Sequence, residues 1–121
     1  MTYVLVAVGG AAGSLVRYSL GKFISEKSNS SFPIGTFIIN ITGAILLGIV
    51  STIGVSSNMM LLLGDGFLGA YTTFSTFMYE GFNLFQEKEK LNAFIYILCS
   101  VLLGLLGFAF GSKIGQLYNF K

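Results

Sequence analysis

Residues 66–80 read GFLGAYTTFSTFMYE and lie inside a long apolar stretch of the chain. A helix that only faces apolar surroundings has no use for a cluster of hydroxyl side chains behind two glycines, so this segment handles something polar. Glycine permits non-helical torsion angles, and a break between Gly69 and Thr72 would free backbone carbonyls that protein or an ion must satisfy. A bound cation is a natural candidate. The alternative is an unbroken helix with a Ser/Thr/Gly packing seam.

The composition around this segment is that of a membrane protein. Of the 121 residues, 54% are hydrophobic and only 10% are charged, which is too few to cover a water-soluble surface. A bilayer crossing takes roughly 20 mainly apolar residues, so the length leaves room for about four. We therefore predict an all-α membrane protein with one four-helix domain over residues 1–121 and a third helix broken near its middle. The predicted helices span about 3–24, 33–55, 59–85 and 91–114.

Polar and small residues mark the ends and contacts of these helices. The predicted connections are a polar loop at 25–31, a tight link at 56–58 and the charged turn QEKEK at 86–90. Pro33 suits the first turn of the second helix, because its missing N–H would have no partner there. Small residues four apart predict close helix packing: Gly9 with Gly13, Ala44 with Gly48, and Gly107 with Gly111.

Positive charge gives a weak indication of membrane orientation. The side that holds both termini carries Lys113 and Lys121, and the opposite side carries Lys22, Lys27, Lys88 and Lys90, with Arg17 near the helix end. The rule that positive loops stay in the cytoplasm favours termini outside. Because the bias is small, insertion in both orientations stays open.

Several function classes lack their usual residues. The chain contains no histidine, and its one cysteine, Cys99, lies in an apolar stretch without a disulfide or metal partner. The net charge of +2 is too small and scattered to indicate nucleic acid binding. We therefore predict no enzyme and no nucleic-acid partner.

Two polar or aromatic features could serve an ion path. Phe74 and Phe77 are three residues apart, so a helix would place both on one face beside Ser75 and Thr76. An aromatic ring is positive at its edge, so these rings could favour an anion, although ordinary packing is the alternative. Asn40 must find a partner within the membrane or serve one, and a hydrogen bond between helices is its alternative interpretation.

Three segments together resemble a known family. They are GGAAGSLVRY at 9–18, FPIGTFIIN followed by ITG at 32–43, and GFLGAYTTFSTFMYE at 66–80. In this order they resemble the signature segments of the CrcB/Fluc fluoride channels, and the resemblance spans essentially the whole chain. It implies a passive, fluoride-selective channel that exports fluoride across the bacterial cell membrane and so lowers cytoplasmic fluoride.

The resemblance also implies an assembly and a cofactor. Family members form antiparallel, dual-topology dimers with two fluoride pores, and the partner is either an identical chain or a paired paralogue. A structural sodium ion is implied at the dimer interface, held by the backbone carbonyls of Gly69 and Thr72.

Roles for individual residues follow from the same resemblance. Asn40 would donate to fluoride with Thr36 supporting it, and Phe74 and Phe77 would present ring edges. The remaining pore and vestibule positions implied by the motif are Ser75, Thr76, Glu80, Tyr96, Ser100 and, in an aqueous vestibule, Arg17.

Two other protein classes remain as alternatives. A small proton-coupled drug exporter has a similar length. Proton-coupled export requires a carboxylate in the first crossing, and the first crossing of this chain contains none. A non-conducting structural subunit is the second alternative. Asp65, which lies inside the third crossing, either pairs with the partner subunit's Arg17 or borders a water-filled vestibule.

Overall fold

The computed structural model describes residues 2–27 and 32–119, apart from the side chain of Asn119, and every regular element in those ranges is helical. Three helices, α1, α2 and α6, are long and apolar enough to cross a membrane. The elements in chain order are α1 (Thr2–Lys27), α2 (Ile34–Thr52), α3 (Ser57–Met59), the π-helix π1 (Met60–Leu68), α4 (Gly69–Tyr71), α5 (Ser75–Gln86) and α6 (Lys90–Asn119).

The first helix extends further than the sequence indicates. The loop was predicted to begin at Ser25, but α1 continues to Lys27, whose Nζ lies 4.6 Å from the ring centroid of Phe23. These residues are one helical turn apart, so the cation–π contact forms only when the chain is helical here. The contact therefore stabilises the last turn of α1. The rest of the predicted loop, 28–31, and Lys121 of the charge comparison lie outside the described residues.

The link after α2 lies earlier than predicted. Helix α2 ends at Thr52, and Gly54 adopts a φ of 85°, a left-handed conformation that glycine tolerates without strain. Ser56 then accepts a 3.3 Å hydrogen bond from the Met59 backbone N–H and caps α3. Pro33 lies one residue before α2 rather than in its first turn.

Glycines bring the helix backbones into contact. On α2, a Cβ at Gly48 would overlap the Phe108 carbonyl of α6, and one at Gly111 of α6 would overlap the Ile45 carbonyl of α2. Gly9 and Gly13 likewise let α1 approach the backbone of π1. The predicted packing role of these glycines is thus confirmed, and it fixes α2 on α6 and α1 on π1.

The π-helix begins the third predicted crossing. Gly69 closes it by donating its N–H to the Gly64 carbonyl five residues earlier. Gly64 and Gly66 are buried, and a Cβ at Gly66 would lie 2.8 Å from the Val6 carbonyl of α1. Absence of side chains therefore lets α1 lie directly against the wider helix. Extended π-helices are rare, and π-turns frequently mark functional sites.

The helical conformation stops after Tyr71 and resumes at Ser75. Thr72 between them is extended, with φ −81° and ψ 158°. The Thr73 hydroxyl accepts a 3.2 Å hydrogen bond from the Thr76 N–H and so caps the first turn of α5. Two helical pieces and a short extended segment therefore make up residues 57–86.

Two clusters of buried side chains hold these pieces in place. One joins α5 to α6 through Phe77, Leu84, Ala93 and Tyr96. The other joins α2 to the segment before the interruption through Ile39, Leu68 and Tyr71. Most other large apolar side chains are exposed, which is the arrangement expected of helices that face lipid.

Lys88 offers a test of the turn between α5 and α6. Its φ of 65° is left-handed, and the Glu89 N–H donates to the Leu84 carbonyl at 2.9 Å, the pattern of a helix end that usually carries glycine. We expect Lys88→Gly to stabilise the protein by up to about 1 kcal/mol, because it removes the steric cost of this conformation. The measurement is the midpoint of thermal unfolding in detergent. Lys90→Gly, just inside α6, should lower it, and a lower midpoint for Lys88→Gly would contradict the assignment.

Candidate functional site: the interrupted helix and its polar neighbours

Asn40 holds the backbone of the interrupted segment. Its Nδ2 donates to the Thr73 carbonyl at 2.9 Å, and its Oδ1 accepts from the Thr73 N–H, also at 2.9 Å. The side chain from α2 thus replaces both backbone partners that Thr73 would have in a continuous helix. One Nδ2 hydrogen remains after these two bonds.

Arg17 holds the other side of the interruption. Its Nε donates to the Ala70 carbonyl at 3.2 Å, and the residue is half-buried between α1 and α4. The predicted role in a vestibule did not include this contact. A guanidinium has further N–H donors and keeps its charge, so positive potential stays next to the end of α4, where free carbonyls make the helix negative.

Three carbonyls at the interruption are left over. Within the described residues, no backbone hydrogen bond reaches the carbonyl oxygens of Gly69, Tyr71 and Thr72 from the residues that follow. The Thr73 N–H, which would serve Gly69 in a continuous helix, donates to Asn40, and the Thr76 N–H, which would serve Thr72, donates to the Thr73 hydroxyl. Gly69 is exposed, and a Cβ built on it would meet only the Gly64 carbonyl, at 3.7 Å. Two of these three carbonyls, those of Gly69 and Thr72, are the ones that the family resemblance implies as ligands of a sodium ion.

Such carbonyls suit a hard monovalent cation. Oxygen ligands are the ones that Na⁺, like other hard cations, takes from proteins. Among the described residues there is no group of three His, Cys, Asp or Glu side chains close enough to hold a metal, so the carbonyls are the ligands on offer there. The donor set of this segment therefore fits a sodium ion.

An open cleft of about 600 Å³ runs along the interruption. Apolar atoms form most of its wall, and polar groups are grouped near the break. Its lining includes Asn40, Asp65, Gly69, Thr72, Thr73, Phe74, Phe77 and Ser100. Apart from Phe77, no member of this group is buried. The cleft thus collects residues from α2, π1, the interruption and α6.

The two phenylalanines differ in their surroundings. Phe74 lies at the interruption with 73% of its surface exposed, whereas Phe77 is 8% exposed. Their ring centroids are 6.2 Å apart, and the Phe77 centroid lies 5.2 Å from that of Tyr96. Phe77 is therefore both a cleft residue and a core residue, while Phe74 has almost no packing role within one chain.

A second polar group lies beyond Phe77. Thr36 donates its hydroxyl to Glu80 Oε1 at 2.5 Å, whereas the resemblance implied that it supports Asn40. Tyr96 is fully buried, and the hydroxyls of Tyr96 and Ser100 have no hydrogen-bond partner among the described residues. Buried hydroxyls are rarely left unpaired, so these two retain hydrogen-bonding capacity that the described residues do not use.

Ser75 and Thr76 form the first turn of α5, immediately after Phe74. Ser75 is exposed and Thr76 is half-buried. They lie at the positive end of a 12-residue helix, which favours negative charge nearby. Their position is therefore compatible with the route that the motif implies.

Sequence reasoning missed Thr73 and the polar contact of Tyr71. Asn40 holds Thr73, which also caps α5, and a threonine directly before the helical residues was a signal for the cap. The Tyr71 hydroxyl lies 2.9 Å from the Thr42 hydroxyl, a contact without a local sequence signal. Asp65 is exposed in the cleft, and Arg17 of the same chain contacts Ala70.

Apolar helices and an interrupted helical segment beside an open cleft together indicate a small integral membrane protein. The family profile described as CrcB-like protein, Camphor Resistance (CrcB), matches residues 4–112. The chain belongs to the CrcB family, as the resemblance of its signature segments predicted. It is a multi-pass membrane protein of bacteria.

Individual relatives are similar over nearly their whole length. A protein of Clostridium acetobutylicum named Fluoride-specific ion channel FluC 2 is 62% identical over 97% of this chain and 100% of its own length. Fluoride-specific ion channel FluC of Hydrogenobaculum is 46% identical over 97% of this chain and 99% of its own. FluC 1 of Ligilactobacillus salivarius is also 46% identical, over 93% and 97% respectively.

Proposed function

We propose that this protein is a passive, fluoride-selective channel that exports fluoride and lowers its cytoplasmic concentration. The observation that carries the proposal is the cleft that brings together Asn40, Phe74, Phe77 and Ser100 at an interrupted membrane helix. The names of relatives up to 62% identical support the same ion. The channel is not an enzyme and needs no nucleotide.

Fluoride is a small and strongly hydrated anion, so its passage requires donors that replace water. The remaining Nδ2 hydrogen of Asn40 supplies one, and the exposed edge of Phe74 presents partial positive charge beside it. Phe77, Ser75 and Thr76 continue the route, and the hydroxyls of Tyr96 and Ser100 offer unused hydrogen bonds. The hydrogen-bonded pair of Thr36 and Glu80 lies at the end of this route, beyond Phe77.

We propose that two antiparallel chains complete each pore. Residues 57–71 and 75–86 form the two halves of the third crossing in chain order, which is broken at the interruption. With the three continuous helices, this makes four crossings. The exposed Phe74 and the open cleft would then lie against the second chain. An antiparallel pair requires insertion in both orientations, which the weak charge bias of the loops permits. The partner is an identical chain or a paralogue, and the numbering of relatives as FluC 1 and FluC 2 is compatible with a pair.

The free carbonyls would hold a structural sodium ion between the two chains. A fixed cation lowers the electrostatic cost of an anion in the middle of a membrane, and it would satisfy the carbonyls of Gly69 and Thr72. Arg17 and Asn40 hold the neighbouring carbonyls of Ala70 and Thr73, so the two free carbonyls keep a defined geometry.

Bulk at Gly69 tests the sodium proposal. We expect Gly69→Val to weaken dimerisation and to lower fluoride efflux at least tenfold, because Gly69 is exposed beside the break and the added side chain would fill the space that the second chain is proposed to occupy. Size-exclusion chromatography with light scattering gives the oligomeric state, and a fluoride electrode gives the efflux. Gly104→Val is the control, because a Cβ at Gly104 meets nothing within 4 Å. Unchanged dimerisation and flux in Gly69→Val would reject the sodium cage.

The function itself is tested with the purified chain alone. Liposomes that contain it should release fluoride, but not chloride, when valinomycin supplies the compensating potassium current. Release by this single chain would establish a homodimeric channel. If release appears only after a paralogue is added, the protein is one subunit of a heterodimer, and release in neither case would reject the channel.

A further inference from the structure

Asp65 is a carboxylate within the membrane-spanning part of the chain that the pore does not use. It lies in π1 between Gly64 and Gly66, which are both buried, while Asp65 itself is exposed. The close contact of Gly66 with the backbone of α1 turns the Asp65 side chain away from α1 and into the cleft. A carboxylate at membrane depth is costly unless it meets water or a cation.

The cleft provides a reason for this carboxylate. Asp65 lines it together with Gly69 and Thr72, whose carbonyls have no backbone donor among the described residues. Asp65 and Gly69 are four residues apart, about one helical turn, and thus lie on the same side of the segment. No lysine or arginine lines the cleft in the described part of the chain, so nothing there neutralises the charge.

Arg17 is the cationic residue that the sequence offered as a partner for Asp65, and within one chain its Nε is bonded elsewhere. It donates to the Ala70 carbonyl, and no ion pair between Arg17 and Asp65 occurs among the described residues. The Asp65 carboxylate therefore lines the cleft together with the free carbonyls and has no cationic side chain paired with it in the described part of the chain.

We propose that Asp65 is a positioning residue for the structural cation: its carboxylate draws Na⁺ into the cleft and raises the affinity of the carbonyl site. This inference rests on the proposed function, since that function places a sodium ion at Gly69 and Thr72. The carboxylate acts across the cleft, by charge, while the carbonyls supply the direct ligands. In an antiparallel dimer each chain contributes one such charge.

The test is the sodium dependence of thermal unfolding, measured on protein purified in N-methylglucamine chloride and titrated with NaCl at constant ionic strength. Binding of Na⁺ to the folded state raises the unfolding midpoint. We expect Asp65→Asn to shift the half-maximal NaCl concentration at least tenfold upward, because opposite charges at about one helical turn attract strongly at low dielectric. Asp65→Glu restores the charge and should stay within about threefold of the wild type.

Glu26→Gln is the matched control, since it removes the same charge from an exposed position at the end of α1. Its half-maximal concentration should equal that of the wild type. Equal values for the wild type and Asp65→Asn, or a wild type whose midpoint ignores NaCl, would overturn the inference. Fluoride efflux of the wild type is a separate readout: its absence with the sodium shift intact would reject the channel and leave the role of Asp65 standing.

Discussion

Replacement of Asn40 by leucine is expected to lower fluoride efflux from liposomes at least tenfold. Leucine has a similar size but can neither donate to the Thr73 carbonyl nor accept from its N–H, both of which Asn40 does at 2.9 Å. An unpaired polar group costs up to about 1–3 kcal/mol when it is fully buried and less at a half-buried position such as Thr73, and a tenfold change corresponds to about 1.4 kcal/mol. The backbone at the interruption should therefore no longer be held in its extended conformation, and the side chain can no longer donate a hydrogen bond to fluoride.

A second variant separates these two contributions. Asn40→Asp keeps an oxygen acceptor for the Thr73 N–H but has no hydrogen to donate and adds negative charge, so its efflux should fall at least as far. Amide hydrogen exchange of a peptide covering 72–76 should accelerate more in Asn40→Leu than in Asn40→Asp. Equal exchange in the wild type and the leucine variant would argue against Asn40 as the support of the interruption.

The control lies on the same helix. Ser51 is exposed and donates only to the Leu47 carbonyl of its own helix, at 2.7 Å. Ser51→Ala also removes a side-chain hydrogen bond from α2, and its efflux should match that of the wild type. Near-normal efflux in Asn40→Leu would remove this residue from the ion path.

Phe74→Ile should leave a folded dimer and lower fluoride efflux at least tenfold. Isoleucine fills similar space but lacks the positive ring edge, and the 73% exposure of Phe74 means that little packing within the chain depends on the ring. The unfolding midpoint should therefore change less than in Phe77→Ile, while the efflux falls. Fluoride-electrode recordings and thermal unfolding of the same preparations provide both quantities.

Phe77→Ile should lower efflux as well, but with a loss of stability of about 1–3 kcal/mol, because Phe77 is 8% exposed and packs against Tyr96. Phe82→Ile is the control for Phe74, since Phe82 lies on the same helix and is 59% exposed. If Phe74→Ile and Phe82→Ile conduct equally well, the aromatic contribution is rejected and Phe74 is an ordinary packing or lipid-facing residue.

The sequence alone was sufficient to predict the membrane environment, the all-helical class and the importance of residues 66–80. Apolar composition requires a lipid environment, and in lipid the backbone must satisfy itself within helices. Glycine spacing predicted the contacts of Gly9, Gly13, Gly48 and Gly111, because a missing side chain is a local property that any neighbouring helix can use. The order of the motifs was sufficient to recognise the family.

Only the tertiary structure decided which partner each polar group takes. Arg17 reaches Ala70 across 53 positions, Thr36 reaches Glu80 across 44, and Asn40 reaches Thr73 across 33. Such pairs depend on how the helices cross and on the wider turn of π1, and the periodicity of one helix specifies neither. For the same reason Phe74 and Phe77, equivalent by spacing, separate into an exposed and a buried residue: α6 covers Phe77 with Tyr96, while the interruption leaves Phe74 in the open cleft.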